Sequence, residues 1–183
     1  MNSAATTAWA QDWNAPDEFG VPSNMFGRHP EEFFGRLSRI VMVASLLEHR
    51  LLSFYQSLKG IPQHEETNLA ASTVVSNIRK DLLALSDANE RGQVKAWLDE
   101  SDYLLDRRNH YVHDLWPAQD GDRIYGWRFD RKATPASPTK HIDLTPEEMQ
   151  TDLRRFLDAV RLWERLFPMI SRGQHIAATG GAS

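Results

Sequence analysis

The residues best suited to chemistry lie in one run, Arg107-Arg108-Asn109-His110-Tyr111-Val112-His113-Asp114-Leu115-Trp116. Arg108, Asn109 and His113 gather within about one and a half helical turns, with Asn109 and His113 four apart and so neighbours on one face of a helix. These types suit a phosphodiester. A guanidinium offers a planar fork of donors to phosphate oxygens. An imidazole titrates near neutrality and passes protons in either direction. A carboxamide orients a hydroxyl or a phosphate oxygen.

The elements that must hold this run follow from hydrophobic spacing. From Pro30, Phe33, Leu37, Ile40, Val41, Ala44, Leu47, Leu51, Phe54, Tyr55 and Leu58 recur at three and four residues and stop at Gly60-Ile61-Pro62, which predicts a long amphipathic helix. A second helix is expected from about Thr67 to Leu85, on the stripe Ala71, Val74, Val75, Ile78, Leu82 and Leu85. Asp87-Ala88-Asn89-Glu90 has the form of a capping box, opening a third helix with Val94, Trp97, Leu98, Leu104 and Leu105 inward. Extending that spacing reaches Arg108 and Val112. A guanidinium on or beside a buried face needs a partner or a cleft, because an unpaired buried charge is costly. Glu48 on the first helix is a candidate partner.

After Trp116-Pro117 the chain reads as a polar turn. The alternation of Tyr125, Trp127 and Phe129 then indicates a strand, and Lys140 to Leu144 a second, giving a β-hairpin across a loop with Pro135 and Pro138. Thr145-Pro146-Glu147-Glu148 is a helix start, with a hydroxyl N-cap, proline at the first position and a glutamate reaching back. Leu153, Phe156, Leu157, Val160, Trp163, Phe167 and Ile170 form the last stripe. The expected class is mainly α: a bundle of about four main helices with a β-hairpin before the last. Residues 1–29 read as an irregular arm carrying Trp9, Trp13, Phe19 and Phe26, residues 30–172 as one helical domain, and 173–183 as a flexible tail.

Composition narrows the classes. With no cysteine, disulfides, thiolate nucleophiles and Cys-based zinc sites are excluded. No apolar run is long enough to span a bilayer, and Met1 to Gln11 lacks a basic and apolar leader pattern, so cytoplasmic residence is expected. The net charge of −4 argues against nucleic-acid binding through bulk electrostatics. Distribution differs from the sum: Arg107 to His141 holds seven Lys or Arg against four Asp, hence +3, and the remainder is −7. A local basic face and an ordinary solvated surface are both compatible with this.

Arg108-Asn109-His110-Tyr111-Val112-His113 resembles the Arg-Asn-x-x-x-His form of the motif of HEPN-superfamily domains, and Trp116 resembles an aromatic that follows it in some members. The resemblance extends over roughly Pro30 to Arg172, since HEPN domains are compact helical bundles with this motif near the end of a late helix. It implies a metal-independent endoribonuclease without cofactor, acting in toxin–antitoxin, phage-defence or RNA-processing systems. The ribose 2′-OH would attack the adjacent phosphate and leave a 2′,3′-cyclic phosphate. Arg108 and His113 would be the catalytic pair and Asn109 their auxiliary. Glu48, His110 and Asp114 would be accessory, and Arg107, Arg123, Arg128, Tyr125 and Trp127 would contact RNA. Asp114 departs from the glycine that some relatives carry there, placing a negative charge beside the proposed phosphate site. The resemblance also implies a homodimer with a composite cleft, and an antitoxin or other regulatory protein as a further partner.

Two other readings stand beside it. His113-Asp114, with His110 three residues earlier, suggests an HD-type metal phosphohydrolase, for which His49, His64 and Asp143 are the remaining candidate ligands. Alternatively the chain is a catalytically inactive HEPN-like module that binds RNA or a protein through Tyr125, Trp127 and Phe129. At strand spacing, core packing is the commoner use of such aromatics.

Overall fold

A computed structural model describes residues 15–16, 19–22, 29–63, 68–82, 87–120, 123–129 and 139–179, the side chains of 117–120, 128–129, 139–142 and 169–179 excepted. Trp9, Trp13, Phe26, His64 and the loop containing Pro135 and Pro138 lie outside the described residues. The chain is mainly helical. Its described elements are α1 (Glu31–Lys59), α2 (Ala71–Asp81), α3 (Ala88–His113), β1 (Leu115–Asp120), β2 (Arg123–Phe129), β3 (Thr139–Leu144) and α4 (Pro146–Thr179). They fall into two compact units, one of Met1–Gly35 with His113–Glu148 and one of Arg36–Val112 with Met149–Ser183.

The second unit is a helical bundle. Ile40, Ala44, Leu47, Leu51 and Phe54 of α1, Val74, Val75 and Ile78 of α2, Val94, Trp97, Leu98 and Leu104 of α3, and Met149, Phe156 and Leu166 of α4 are all buried. Trp97 is wholly buried and rests on Phe54 with ring centroids 5.2 Å apart. Its indole N–H donates to the Ala159 carbonyl at 2.9 Å, so the largest apolar side chain of the core leaves no donor unmet. Ion pairs close the helix edges: Lys59 with Asp81, Arg79 with Asp99 and Asp102, and Arg155 in a two-bond fork on Glu100.

Capping explains where α3 and α4 begin. Thr145 Oγ1 accepts from the Glu148 amide at 3.1 Å while Glu148 Oε2 accepts from the Thr145 amide at 2.7 Å, a reciprocal box. At α3, Asp87 Oδ1 accepts from the Glu90 amide at 2.8 Å. Helix α2 starts at Ala71 rather than near Thr67, behind an extended Ala70 that supplies no side-chain cap. Helix α4 continues to Thr179, beyond Gly173 where a loose tail is expected. A single glycine costs a helix only about 1 kcal/mol, and His175 to Thr179 contains no breaker.

In the first unit the strands form an antiparallel sheet in the order β1-β2-β3. The expected hairpin is β2 with β3, whose register runs from Ile124 opposite Leu144 to Phe129 opposite Thr139. The third strand, β1, occupies the segment that reads as a polar turn. Pro117 accounts for the discrepancy: it has no N–H to donate, and the ladder shifts register between Leu115 and Ala118. Such a bulge on an edge strand accommodates proline. Ile124, Gly126 and Leu144 are buried on one face of the sheet, and Trp116 seals Gly126 so closely that a Cβ there would lie 2.4 Å from its ring. Phe33 and His29 complete this cluster; their rings stack at 4.0 Å, and His29 Nε2–H donates to the Trp116 carbonyl.

Candidate functional site

The two arginines of the run part company. Successive residues turn about 100° around a helix axis, so Arg107 and Arg108 address different neighbours. Arg108 Nη2 binds the Glu48 carboxylate of α1, and its Nη1 donates to Asn109 Oδ1 at 3.3 Å. Both members of the pair keep water contact, with side chains 24% and 32% exposed. They border a shallow cleft of about 370 Å³, lined by Glu48, Leu69, Ala70, Ala71, Ser72, Leu105, Arg108 and Asn109. The first turn of α2 opens onto this cleft.

Arg107 has a different environment. Its Nε donates at 2.8 Å to Asp152 Oδ2, which also accepts from the Tyr111 hydroxyl at 2.7 Å. Asp152 and Tyr111 are buried, at 4% and 3% exposure. Burial works against the charge on Arg107, but the hydrogen bond and charge of Asp152 outweigh it and hold the guanidinium's pKa above its ordinary value. Burial, reinforced by the Asp152 carboxylate, pushes the Tyr111 phenol far upward, so its proton stays on the oxygen. The guanidinium expected to contact RNA is thus committed to a pair between α3 and α4.

Sequence spacing places Val112 on the buried stripe, yet Val112 is 44% exposed and Tyr111 is inside. The inward line runs Leu104, Arg108, Tyr111 instead of through Val112, a three-residue step where four is equally compatible with the period. Sequence reasoning does not single out Asp152, the structural partner that holds Arg107. Its signal was a carboxylate three residues from Met149 and four from Phe156, on the same apolar stripe of α4.

His113 is the last residue of α3 and is exposed; among the described residues its ring has no hydrogen bond. Helical geometry sets His113 about 40° from Asn109 around the axis but about 140° from Arg108. Asn109 is exposed. His110 Nε2 lies 3.7 Å from Asp106 Oδ2 within the helix. Asp114 is buried at 6% and engaged by a partner, so it is held in the fold rather than displayed to solvent.

The sheet exposes one face. Tyr125 is 39% and Leu115 50% exposed, Trp127 is half-buried, and Arg123 pairs at 3.0 Å with Asp143. Core packing is therefore not the role of Tyr125, whose neighbours Ile124 and Gly126 fill the inner face. Arg128 stands in register opposite Lys140; its side chain and that of Phe129 lie outside the described residues.

Among the described residues, no three His, Asp or Glu side chains are gathered as a metal ion would require. The HD-type reading would need the His113-Asp114 pair to converge with ligands among His49, His64, His110 and Asp143; His64 lies outside the described residues, and no such group is present among the described ones. No helix of the described residues is long and apolar enough to cross a membrane. Compared with known protein families, with characterised proteins and with solved structures, the chain matches none.

Proposed function

We propose that this chain is a metal-independent endoribonuclease of HEPN type. The observation that carries the reading is the placement of Arg108: the motif's guanidinium, with Asn109, borders an open cleft and is held there by a partly solvated glutamate. Arg108 would stabilise charge on the phosphoryl oxygens, His113 would exchange a proton with a reacting oxygen, and Asn109 would orient the phosphate. Attack by the 2′-OH leaves a 2′,3′-cyclic phosphate and a 5′-hydroxyl. The HEPN resemblance implies a homodimer in which two copies complete one cleft. Arg123, Tyr125 and Trp127 of the sheet would also contact RNA. A role in a toxin or phage-defence system in the cytoplasm, under an antitoxin or other regulatory protein, completes the reading.

The exposure of Tyr125 and Leu115 favours a second reading, an inactive HEPN-like RNA-binding module. One experiment separates the two. The full chain is incubated with mixed RNA, with and without EDTA, and product ends are analysed. Cleavage that survives chelation, yields cyclic phosphate ends and disappears in Arg108→Ala and His113→Ala supports the nuclease. RNA retention without cleavage supports the module, and cleavage restored only by a divalent ion refutes both.

A further inference from the structure

We infer that Asp152 is a positioning residue for Arg108, a role that rests on the ribonuclease reading: from α4 it sets the direction in which the end of α3 faces. Asp152 does not line the cleft of Arg108 and Asn109. It acts through Arg107 and Tyr111. Apolar spacing leaves the facing of this last turn open, because two stripes run down α3 at seven-residue intervals, Trp97-Leu104-Tyr111 and Leu98-Leu105-Val112. The first two members of each are buried. After Leu105 only Tyr111 and Val112 are apolar, and adjacent residues stand about 100° apart, so the turn brings one inward at the expense of the other. Tyr111 is the buried one and Val112 is exposed.

Burying a phenol in place of an isopropyl group requires an acceptor for its hydroxyl, and Asp152 Oδ2 supplies it at 2.7 Å. The same oxygen accepts from Arg107 Nε at 2.8 Å, and the Arg107 guanidinium lies 5.5 Å from the centroid of the Tyr111 ring. A buried ion pair adds little net stability over apolar groups of similar size, but it penalises any arrangement that leaves one member unpaired. Helix geometry then decides which arginine meets the cleft. A turn of α3 about its axis that put Val112 in the place of Tyr111 would put Arg108 in the place of Arg107, beside α4, and Asn109 in the place of Arg108, against Glu48. The cleft would lose the motif's guanidinium.

The chain has no cysteine, so a single one reports this facing. Val112→Cys is introduced into the full chain, into Asp152→Leu, into Asp152→Asn and into the triple replacement Arg107→Met, Tyr111→Phe, Asp152→Leu. Its reaction with N-ethylmaleimide is timed well below each melt. At the exposed parental position the thiol should react fast. Asp152→Leu leaves Arg107 and the Tyr111 hydroxyl without their acceptor, so both should turn toward water, Val112 should turn in, and labelling should slow. Asp152→Asn perturbs the bundle less and should show the same change in smaller degree. The triple replacement sets apolar groups against each other on the same faces and should restore fast labelling. Cleavage by the same variants without the cysteine should follow the labelling: kcat falls on the order of 10²-fold in Asp152→Leu, with KM less affected, and recovers in the triple replacement. A purely stabilising role would lower the melt of Asp152→Leu and leave labelling and kcat alone. Labelling at or above the parental rate in both single variants, or parental kcat in both, overturns the positioning role and leaves the ribonuclease reading standing. A parent that leaves RNA intact overturns that reading, while the labelling, which needs no RNA, still decides whether Asp152 sets the facing of α3.

Discussion

Replacing Arg107 and Arg108 singly by alanine should separate structure from chemistry. The two arginine side chains are almost equally exposed, at 23% and 24%, but their partners differ: the Asp152 side chain is 6% exposed and that of Glu48 is 32% exposed. Arg107→Ala strands a buried carboxylate whose remaining donor is the Tyr111 hydroxyl. Breaking a buried pair this way costs about 3–5 kcal/mol, and the partial exposure of Arg107 puts the loss near the lower end, about 3 kcal/mol. For a chain of this length that corresponds to a melting-temperature drop of roughly 6–12 °C. Arg108→Ala leaves a glutamate that water reaches, and should cost no more than about 1 kcal/mol. The triple replacement Arg107→Met, Tyr111→Phe, Asp152→Leu removes every member of the buried network and should recover most of the loss. Urea denaturation of the four proteins reads these differences directly. An Arg107→Ala loss under about 1 kcal/mol, or one smaller than that of Arg108→Ala, would refute the assignment of the buried pair to Arg107.

Two further outcomes test the first unit. Burial lowers the pKa of His29 below 6.5, against the opposing pull of the Trp116 carbonyl, and its Nδ1 is buried with no partner among the described residues. Protonation would bury an unpaired N–H, so the contribution of His29 to stability is fully present above pH 6.5 and is lost as pH falls through the depressed folded-state value; a His29 ring titration with a midpoint at or above 6.5 by NMR would contradict this. Gly126→Ala drives a methyl to 2.4 Å from the Trp116 ring and should destabilise by about 1–3 kcal/mol with a change in tryptophan fluorescence, whereas a parental melt would show that the ring moves aside freely.

The helices were legible because one physical rule, burial of a stripe at a period of 3.6, governs them and because capping chemistry is local. Thr145 and Glu148 meet within a single turn, so their spacing alone determines the box. Strand β1 was not legible, since Pro117 removes a ladder donor and looks like a stop. Only the pairing of Leu115 with Trp127 and Ala118 with Tyr125, on another strand, shows that the chain goes on as a bulged edge. The fate of Arg107 was hidden for the same reason. Its partner is 45 residues away on α4, and nothing within its own helix distinguishes it from Arg108.

That difference in partner also decides which arginine is suited to a phosphate. Drawing Arg107 toward a ligand would abandon Asp152 inside the bundle, at a cost of about 3 kcal/mol that offsets the roughly 1.5–3 kcal/mol a charge-assisted hydrogen bond returns. Arg108 faces a smaller obstacle: Glu48 is partly hydrated, a pair of such exposure is worth about 0–1 kcal/mol, and a phosphate offering two oxygens to the guanidinium fork exceeds that. Glu48 can therefore hold Arg108 at the mouth of the cleft in the free chain and yield it to a phosphodiester. A carboxylate that anchored the guanidinium more deeply would make the same side chain structural, as Asp152 makes Arg107. The function proposed for this run thus depends less on which residues carry the motif than on how weakly the fold holds one of them.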